Sequence, residues 1–300
     1  MPPMCNMKRL LPLGFLAVLM ACTKVETLLP LSNKPDAVSS NTFKKPDHIF
    51  IVWFENKAYS QVIGNTSAPF INSLVSKGTL FTRTYGLFHP SYPNYIAWFS
   101  GSNWRVTTDD CITGTPYGAK TMYNALSNAG RSFKWYSEGL PVAGSDTCRA
   151  GYYVERHNPT TIFSKVPKSV NVPLSSVNWN DTSAFKNLPN VAAITPNIIN
   201  DMHNFPVSQG DRWLQKKFAR LINWCMTHNS VFIVYFDEDN QQADNRIPVV
   251  AVGQHIKAGY ETNVYYNHYS FSKSILYWQN AENTFTWKLS HASIITNIWK

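Results

Sequence analysis

The 300 residues are 44% apolar and only 15% charged, which excludes a disordered chain and allows a large buried core. A formal charge of +9 favours anionic partners, but no Lys/Arg cluster or nucleic-acid motif accompanies it, so no nucleic acid is expected as partner. At the start of the chain, Lys8 and Arg9 precede an uncharged run over 10–21, too short to span a bilayer and suited to a signal-peptide core.

That run closes on Leu19-Met20-Ala21-Cys22, which resembles the bacterial lipoprotein signal in which the cysteine becomes the acylated first residue. A plain signal peptide cut near Ala21 is the alternative. Either way residues 1–21 are expected to be removed and the chain exported. The lipoprotein reading adds a membrane anchor at Cys22, facing the periplasm or the cell exterior. Residues 22–46 read as a polar tether and 47–300 as one large domain, since no linker divides them. With Cys5 removed and Cys22 acylated, three cysteines remain. Cys111 and Cys148 lie in polar, loop-like sequence and are predicted to form a disulfide, which suits export. Cys225 shares a helical pattern with Leu221 and Trp224 and reads as a packing residue.

The strands below are expected from apolar runs that lack alternation and carry β-branched or aromatic residues; the helices, from apolar residues three and four apart. In chain order the pattern predicts a strand over 48–54, a helix over 68–76 stopped near Gly78, a strand over 80–85 and a helix over 92–99. A helix over 121–129 stopped at Gly130 and a strand over 132–136 follow. Residues 158–187, rich in Ser, Pro and Asn, read as a surface excursion. Then come a strand over 191–194, a helix over 211–226, strands over 231–236 and 247–252, and a helix over 270–278. Strands alternating with helices predict an α/β fold, a three-layer αβα sandwich with a mostly parallel central sheet. Ligands of such sheets sit beyond the carboxyl ends of the strands.

Chemistry-bearing residues follow three of these strands. Glu55 and Asn56 follow the first, Ser91 and Asn94 follow the second after a short loop, and Asp237, Glu238 and Asp239 follow the strand over 231–236. Carboxylates, an amide and a hydroxyl suit a hard divalent cation, or zinc if histidines join. Ser91 opens a helix with Pro93 in its first turn, where amides and the positive dipole end favour an alkoxide and a phosphate. Asn94, three residues on, shares that face and could donate to a phosphate oxygen.

The segments 51–59 (IVWFENKAY), 89–95 (HPSYPNY), 157–159 (HNP), 195–197 (TPN), 200–203 (NDMH), 236–239 (FDED) and 267–270 (NHYS) resemble the ordered signatures of a phosphoesterase family. That family includes acid phosphatases and non-specific phospholipases C and belongs to the alkaline phosphatase superfamily. The Ser-Tyr-Pro-Asn stretch also resembles the nucleophile segment of nucleotide pyrophosphatases/phosphodiesterases. The resemblance implies an alkaline-phosphatase-like catalytic domain in which Ser91 is transiently phosphorylated. Glu55, Asn56, Ser91, Asp237 and Glu238 would hold one divalent metal ion. His157, His203 and His268 would contact phosphate oxygens, protonate the leaving group or complete a metal site, while His89 would hold the nucleophile loop. Asp201 with His203 is the candidate pair for a second metal. Asn197 stands where the superfamily has Asp and Asp201 where it has His, which leaves that second site in doubt. Glu138 is expected to play a hydrogen-bonding role. No Cys/Ser-x-Pro-x-Arg segment of the sulfatase kind is present.

What the resemblance implies is hydrolysis of a small phosphorylated substrate, as an acid-phosphatase-like phosphomonoesterase. A phospholipase C or other phosphodiesterase is the first alternative. A non-catalytic surface lipoprotein that binds a phosphorylated ligand or glycan is the second.

Overall fold

The computed structural model describes residues 43–241 and 244–300, so the expected signal segment, the anchor at Cys22 and most of the tether lie outside the described residues. In chain order the strands are β1 (His48–Phe54), β2 (Thr79–Phe81), β3 (Thr84–Tyr85), β4 (Phe133–Ser137), β5 (Arg149–Ala150), β6 (Tyr153–Val154), β7 (Asn171–Pro173), β8 (Val191–Thr195), β9 (Ser230–Phe236), β10 (Val249–Gly253), β11 (Tyr260–Thr262) and β12 (Tyr266–Asn267). The helices are α1 (Tyr59–Val62), α2 (Pro69–Val75), α3 (Ser91–Ser100), α4 (Met122–Asn128), α5 (Val207–Cys225), α6 (His268–Trp278) and α7 (Trp287–His291), joined in places by single 3-10 turns.

Eight strands form the main sheet in the order β11-β2-β10-β9-β1-β8-β4-β7. Strand β10 alone runs antiparallel to its neighbours β9 and β2; the other pairings are parallel, as expected. Neighbouring residues on a strand face opposite sides, and β1 shows what covers each. Trp53 packs on Tyr95 and Trp98 of α3 and lies beside His268 of α6. Phe54 meets Trp213 of α5 on the other side. A sheet covered on both faces needs no alternation, and β9 is accordingly buried at every position.

Local chemistry fixes several boundaries. Asn267 caps α6 by accepting from Ser270 N at 3.2 Å, so the helix starts at His268, two residues before the expected 270. Helix α2 opens with Pro69, and Asp211 of α5 accepts from Phe70 N (3.0 Å) and Ile71 N (2.8 Å). Helix α3 ends on Gly101 at φ 74, a conformation that favours glycine.

Two expectations need correction. The run over 80–85 is not one strand: β2 stays in the main sheet, while after Thr82 and Arg83 the chain leaves it to pair with β12. Residues 158–187 are more than a surface excursion. Strand β7 adds an edge to β4, and Ile162, Phe163, Val170, Leu174, Trp179 and Phe185 are buried, pinning successive 3-10 turns. The predicted Cys111–Cys148 disulfide is present, with Cα atoms 5.5 Å apart, and Cys225 is buried.

Candidate active site

Strands β8, β1 and β9 are adjacent and parallel, so the residues after them emerge at one edge. Phe54 pairs with Phe236, which sets Glu55 beside Asp237. The alignment continues past the strands: Asn56 N donates to Asp237 Oδ1 (3.0 Å), Lys57 N to Glu238 O (3.2 Å) and Glu55 N to Asp201 O (2.8 Å). Asn56 takes φ 52, a left-handed conformation that Asn tolerates.

Ser91 reaches the same place from β3 through a tight loop. A Cβ on Gly86 would stand 2.8 Å from Asp237 O and 2.6 Å from Asn245 Oδ1, so only glycine allows the approach. Ser91 Oγ is 2.9 Å from Glu55 Oε2 and 3.0 Å from Glu238 Oε1. One hydroxyl proton serves one acceptor at a time, so both contacts are bonded only when one carboxyl is protonated. Tyr95, one helical turn beyond Ser91, donates its hydroxyl to Glu55 Oε1.

The acids crowd a buried space. Glu55, Asp201, Asp237 and Glu238 are each no more than 1% exposed. Burial, then the charges of Asp237 and Asp201, raises the Glu55 carboxyl well above its usual range. Burial raises Asp237 as well and pushes Asp201 up to about 7. Burial and the charge of Asp237 push Glu238 up to about 9. Asp201 Oδ2 is buried without a hydrogen-bond partner. Asp237 Oδ2 is likewise buried without a hydrogen bond of good geometry, and Glu55 and Ser91 are the side chains that interact with its carboxyl.

The histidines divide. His157 is 2% exposed, with Nε2 at 3.4 Å from Glu55 Oε1 and Nδ1 at 3.7 Å from Asp201 Oδ2. Burial holds its ring well below the usual imidazole range, so it is neutral near pH 7 and these contacts are not ion pairs. His203 lies at the mouth. Asn204 Oδ1 accepts from its Nδ1 at 2.8 Å, so its Nε2 accepts from Asn56 Nδ2 at 3.3 Å. It meets Asp201 through its backbone N, which donates to Oδ1 at 2.9 Å. His89 touches Glu238 Oε2 and stands 3.4 Å from Asp239 Oδ1, bracing the loop before Ser91.

Two expected roles are corrected. Asn94 is fully buried, and its amide is consumed by the loop that leads to Ser91. Its Oδ1 accepts from Leu87 N (3.0 Å) and Phe88 N (2.9 Å), while Nδ2 donates to Phe88 O (2.9 Å) and Pro90 O (3.3 Å). No amide proton is left for a phosphate oxygen. His268 is also sealed. Its Nε2 meets Asp237 O at 2.6 Å and must donate there, so Nδ1 accepts from Tyr235 OH at 2.8 Å. Burial lowers its ring to about 4. It positions the chain at Asp237.

Other residues settle as supports. Asn197 turns inward on its own loop, accepting from Ile199 N at 3.0 Å, and does not join the acids. Glu138 accepts from Asn197 N (3.1 Å), Asn200 Nδ2 (2.9 Å) and Trp213 Nε1 (2.9 Å), the hydrogen-bonding role expected of it. Sequence reading missed Tyr95, although its spacing of four from Ser91 places it on the same helical face. It also missed Lys57, whose Nζ donates to Asn56 O (3.0 Å) and His203 O (3.4 Å).

Among the described residues no three His, Cys, Asp or Glu side chains stand ready around one point as metal ligands. The carboxylates turn instead to one another and to hydroxyls. In chemistry the set still fits a hard cation: four buried acids, an orphaned Asp201 oxygen, and carboxyls that resist ionising together.

Residues 50–280 match the Phosphoesterase family profile. The chain is 39% identical over 224 residues to the phosphatidylinositol-3-phosphatase of Mycobacterium tuberculosis, covering 73% of both chains. It is 29% identical over 274 residues to an acid phosphatase of Aspergillus fumigatus, covering 86% of this chain and 59% of that one. A solved protein of the alkaline phosphatase superfamily from Vibrio parahaemolyticus superposes with a TM-score of 0.57 at 15% identity, covering 78% of this chain and 66% of that one, a likeness of fold. With its family segments set on the carboxyl edge of a mostly parallel sheet, the chain belongs to the Phosphoesterase family.

Proposed function

We propose that this chain hydrolyses phosphate monoesters, with Ser91 as the nucleophile. The observation that carries this is Ser91 Oγ at the positive end of α3, within 3.0 Å of both Glu55 and Glu238. The carboxylate that Ser91 bonds takes the hydroxyl proton as Oγ attacks phosphorus in line. The bond from phosphorus to the leaving oxygen breaks as that oxygen takes a proton from His203 at the mouth, whose Nε2 must then carry a proton in place of the contact from Asn56. Water then attacks the phosphorus of the phosphoserine and returns one proton to His203, the P–Oγ bond breaks, the carboxyl gives its proton back to Ser91 Oγ, and inorganic phosphate departs. Glu55, Asn56, Ser91, Asp237 and Glu238, with Asp201 beside them, are the residues that would hold a divalent cation, which would supply Lewis-acid stabilisation of the alkoxide and of the phosphoryl charge. His157 offers its unpartnered Nε2 to a substrate oxygen.

The relatives' names, a phosphatidylinositol-3-phosphatase and an acid phosphatase, both denote phosphatases and support the monoester. Export belongs to the same reading and is supported by the disulfide, and the acyl anchor at Cys22 is proposed with it on the sequence signal alone.

Ser91→Ala should lower turnover of p-nitrophenyl phosphate roughly 10³-fold or more while leaving the melting temperature nearly unchanged. Near-normal turnover would rule Ser91 out as nucleophile. Running the bis-ester and phosphatidylcholine alongside, with and without chelator, separates the diesterase alternative and tests the metal. Tight phosphate binding with no turnover of any ester would instead favour the non-catalytic binding protein.

A further inference from the structure

A third acid meets the start of α3, from the loop that follows that helix. Asp109 Oδ1 accepts from the backbone N of Tyr92 at 2.9 Å, one residue past the nucleophile. Its other oxygen, Oδ2, lies 3.6 Å from Arg156 Nε, which is itself buried without a hydrogen-bond partner. A carboxylate therefore spans a first-turn helix amide and a guanidinium. Those are two donors that suit a phosphoryl group, and α3 carries no acidic residue of its own in that turn. An independent feature marks the same place as a ligand site. His157, next in sequence to Arg156 and 2% exposed, points an unpartnered Nε2 at Glu55, the acid that Ser91 bonds.

We propose that Arg156 and the Tyr92 N–H hold the substrate phosphoryl group, and that Asp109 occupies their place until a doubly charged phosphomonoester displaces it. This rests on the phosphoesterase reading above and deepens it by assigning the substrate's charge. The side chain of Asp109 is 33% exposed and sits on an irregular loop between α3 and α4, so it leaves the two donors without unfolding an element. A dianion with three free oxygens replaces both of its contacts and adds charge. The monoanion of a diester brings one charge fewer and one free oxygen fewer, and competes with the carboxylate less well. Asp109 thereby acts as a specificity residue, while Arg156 touches the reacting group.

The test compares Asp109→Asn, Arg156→Gln and Arg156→Lys in the full chain, reading melting temperature, the inhibition constant of inorganic phosphate, and kcat and KM for p-nitrophenyl phosphate and its bis-ester. Asn still accepts from Tyr92 N but loses the charge, so Asp109→Asn should tighten phosphate inhibition roughly tenfold and shrink the mono- over diester preference at an unchanged melting temperature. Arg156→Gln should weaken phosphate binding roughly tenfold or more, and Lys should restore part of it because it returns the charge without the planar fork. Phosphate inhibition unchanged in a folded Asp109→Asn protein would show that Asp109 is only a helix cap and overturn the proposal. So would Arg156→Gln binding phosphate as wild type does. A wild-type chain that hydrolyses neither ester sinks the underlying hydrolase reading, whereas an active wild type with unaffected variants sinks this inference alone.

Discussion

Glu138 and Glu55 each follow a strand of the same sheet at the same edge, and their surroundings are opposite. Three N–H donors converge on Glu138 from the 197–200 loop and α5, so its charge is answered where it stands. Glu55 receives hydroxyls from Ser91 and Tyr95 but faces the acids Asp237 and Asp201, and burial with those two charges raises its carboxyl well above the usual range. The first arrangement stabilises the fold. The second spends stability on a charge pattern that folding alone does not require, and this marks where chemistry is to be sought.

The sharpest way to break this comparison is Asp237→Asn. It keeps an oxygen for Asn56 N and removes one charge from the cluster. Turnover should fall roughly 10³-fold, while the chelator-treated protein should gain stability, because burial of that carboxylate is relieved and Glu55 and Glu238 no longer face its charge. A clear loss of stability in thermal unfolding would show that the acids are as well satisfied as Glu138. The converse change, Glu138→Gln, should cost about 1 to 3 kcal/mol by leaving a donor of the 197–200 loop or Trp213 unanswered. Its turnover should fall only several-fold, through the displaced loop that carries Asp201 and His203. Unfolding curves and rates measured on one preparation separate the two substitutions.

The smallest effect is a slope with pH. Asp201, at about 7, and Glu238, at about 9, keep their protons in the folded chain to higher pH than ordinary values of 3.8 and 4.5 allow. The folded state then binds more protons than the unfolded one, so the stability these groups contribute is present at low pH and is lost as pH rises toward 9. His268, lowered from 6.5 to about 4, acts in the opposite sense, but its contribution is complete above pH 6.5. Chelator-treated protein should therefore melt at falling temperature between pH 7 and 9, and a divalent cation should flatten the fall. A flat profile in chelator would mean that the acids are not strained.

Much of the fold was legible because a sheet covered on both faces writes itself as unbroken apolar runs, as in β1 and β9. The convergence of Glu55, Asp237 and Ser91 followed from parallel strands sharing one carboxyl edge. Direction within a shared face was not legible. Asn94 has the right spacing from Ser91, yet its amide turns back to the loop over 87–90, where unpaired backbone groups needed it. His268 sits in a family segment, but α6 presses it into the core between Trp53 and Tyr235. The meeting of Asp109 with Arg156 joins segments whose proximity only the folded chain creates.

The bond between Cys111 and Cys148 closes two residues after Asp109 and seven before Glu155, whose backbone N also donates to Cys148 O at 3.0 Å. Cross-linking positions 37 apart in sequence removes freedom from the unfolded chain worth about 4 kcal/mol. Under reducing conditions the loop of Asp109 and the turn of Arg156 lose this common clasp. The proposed phosphate cradle would in this way depend on oxidation, its two parts left unfastened until the thiols pair.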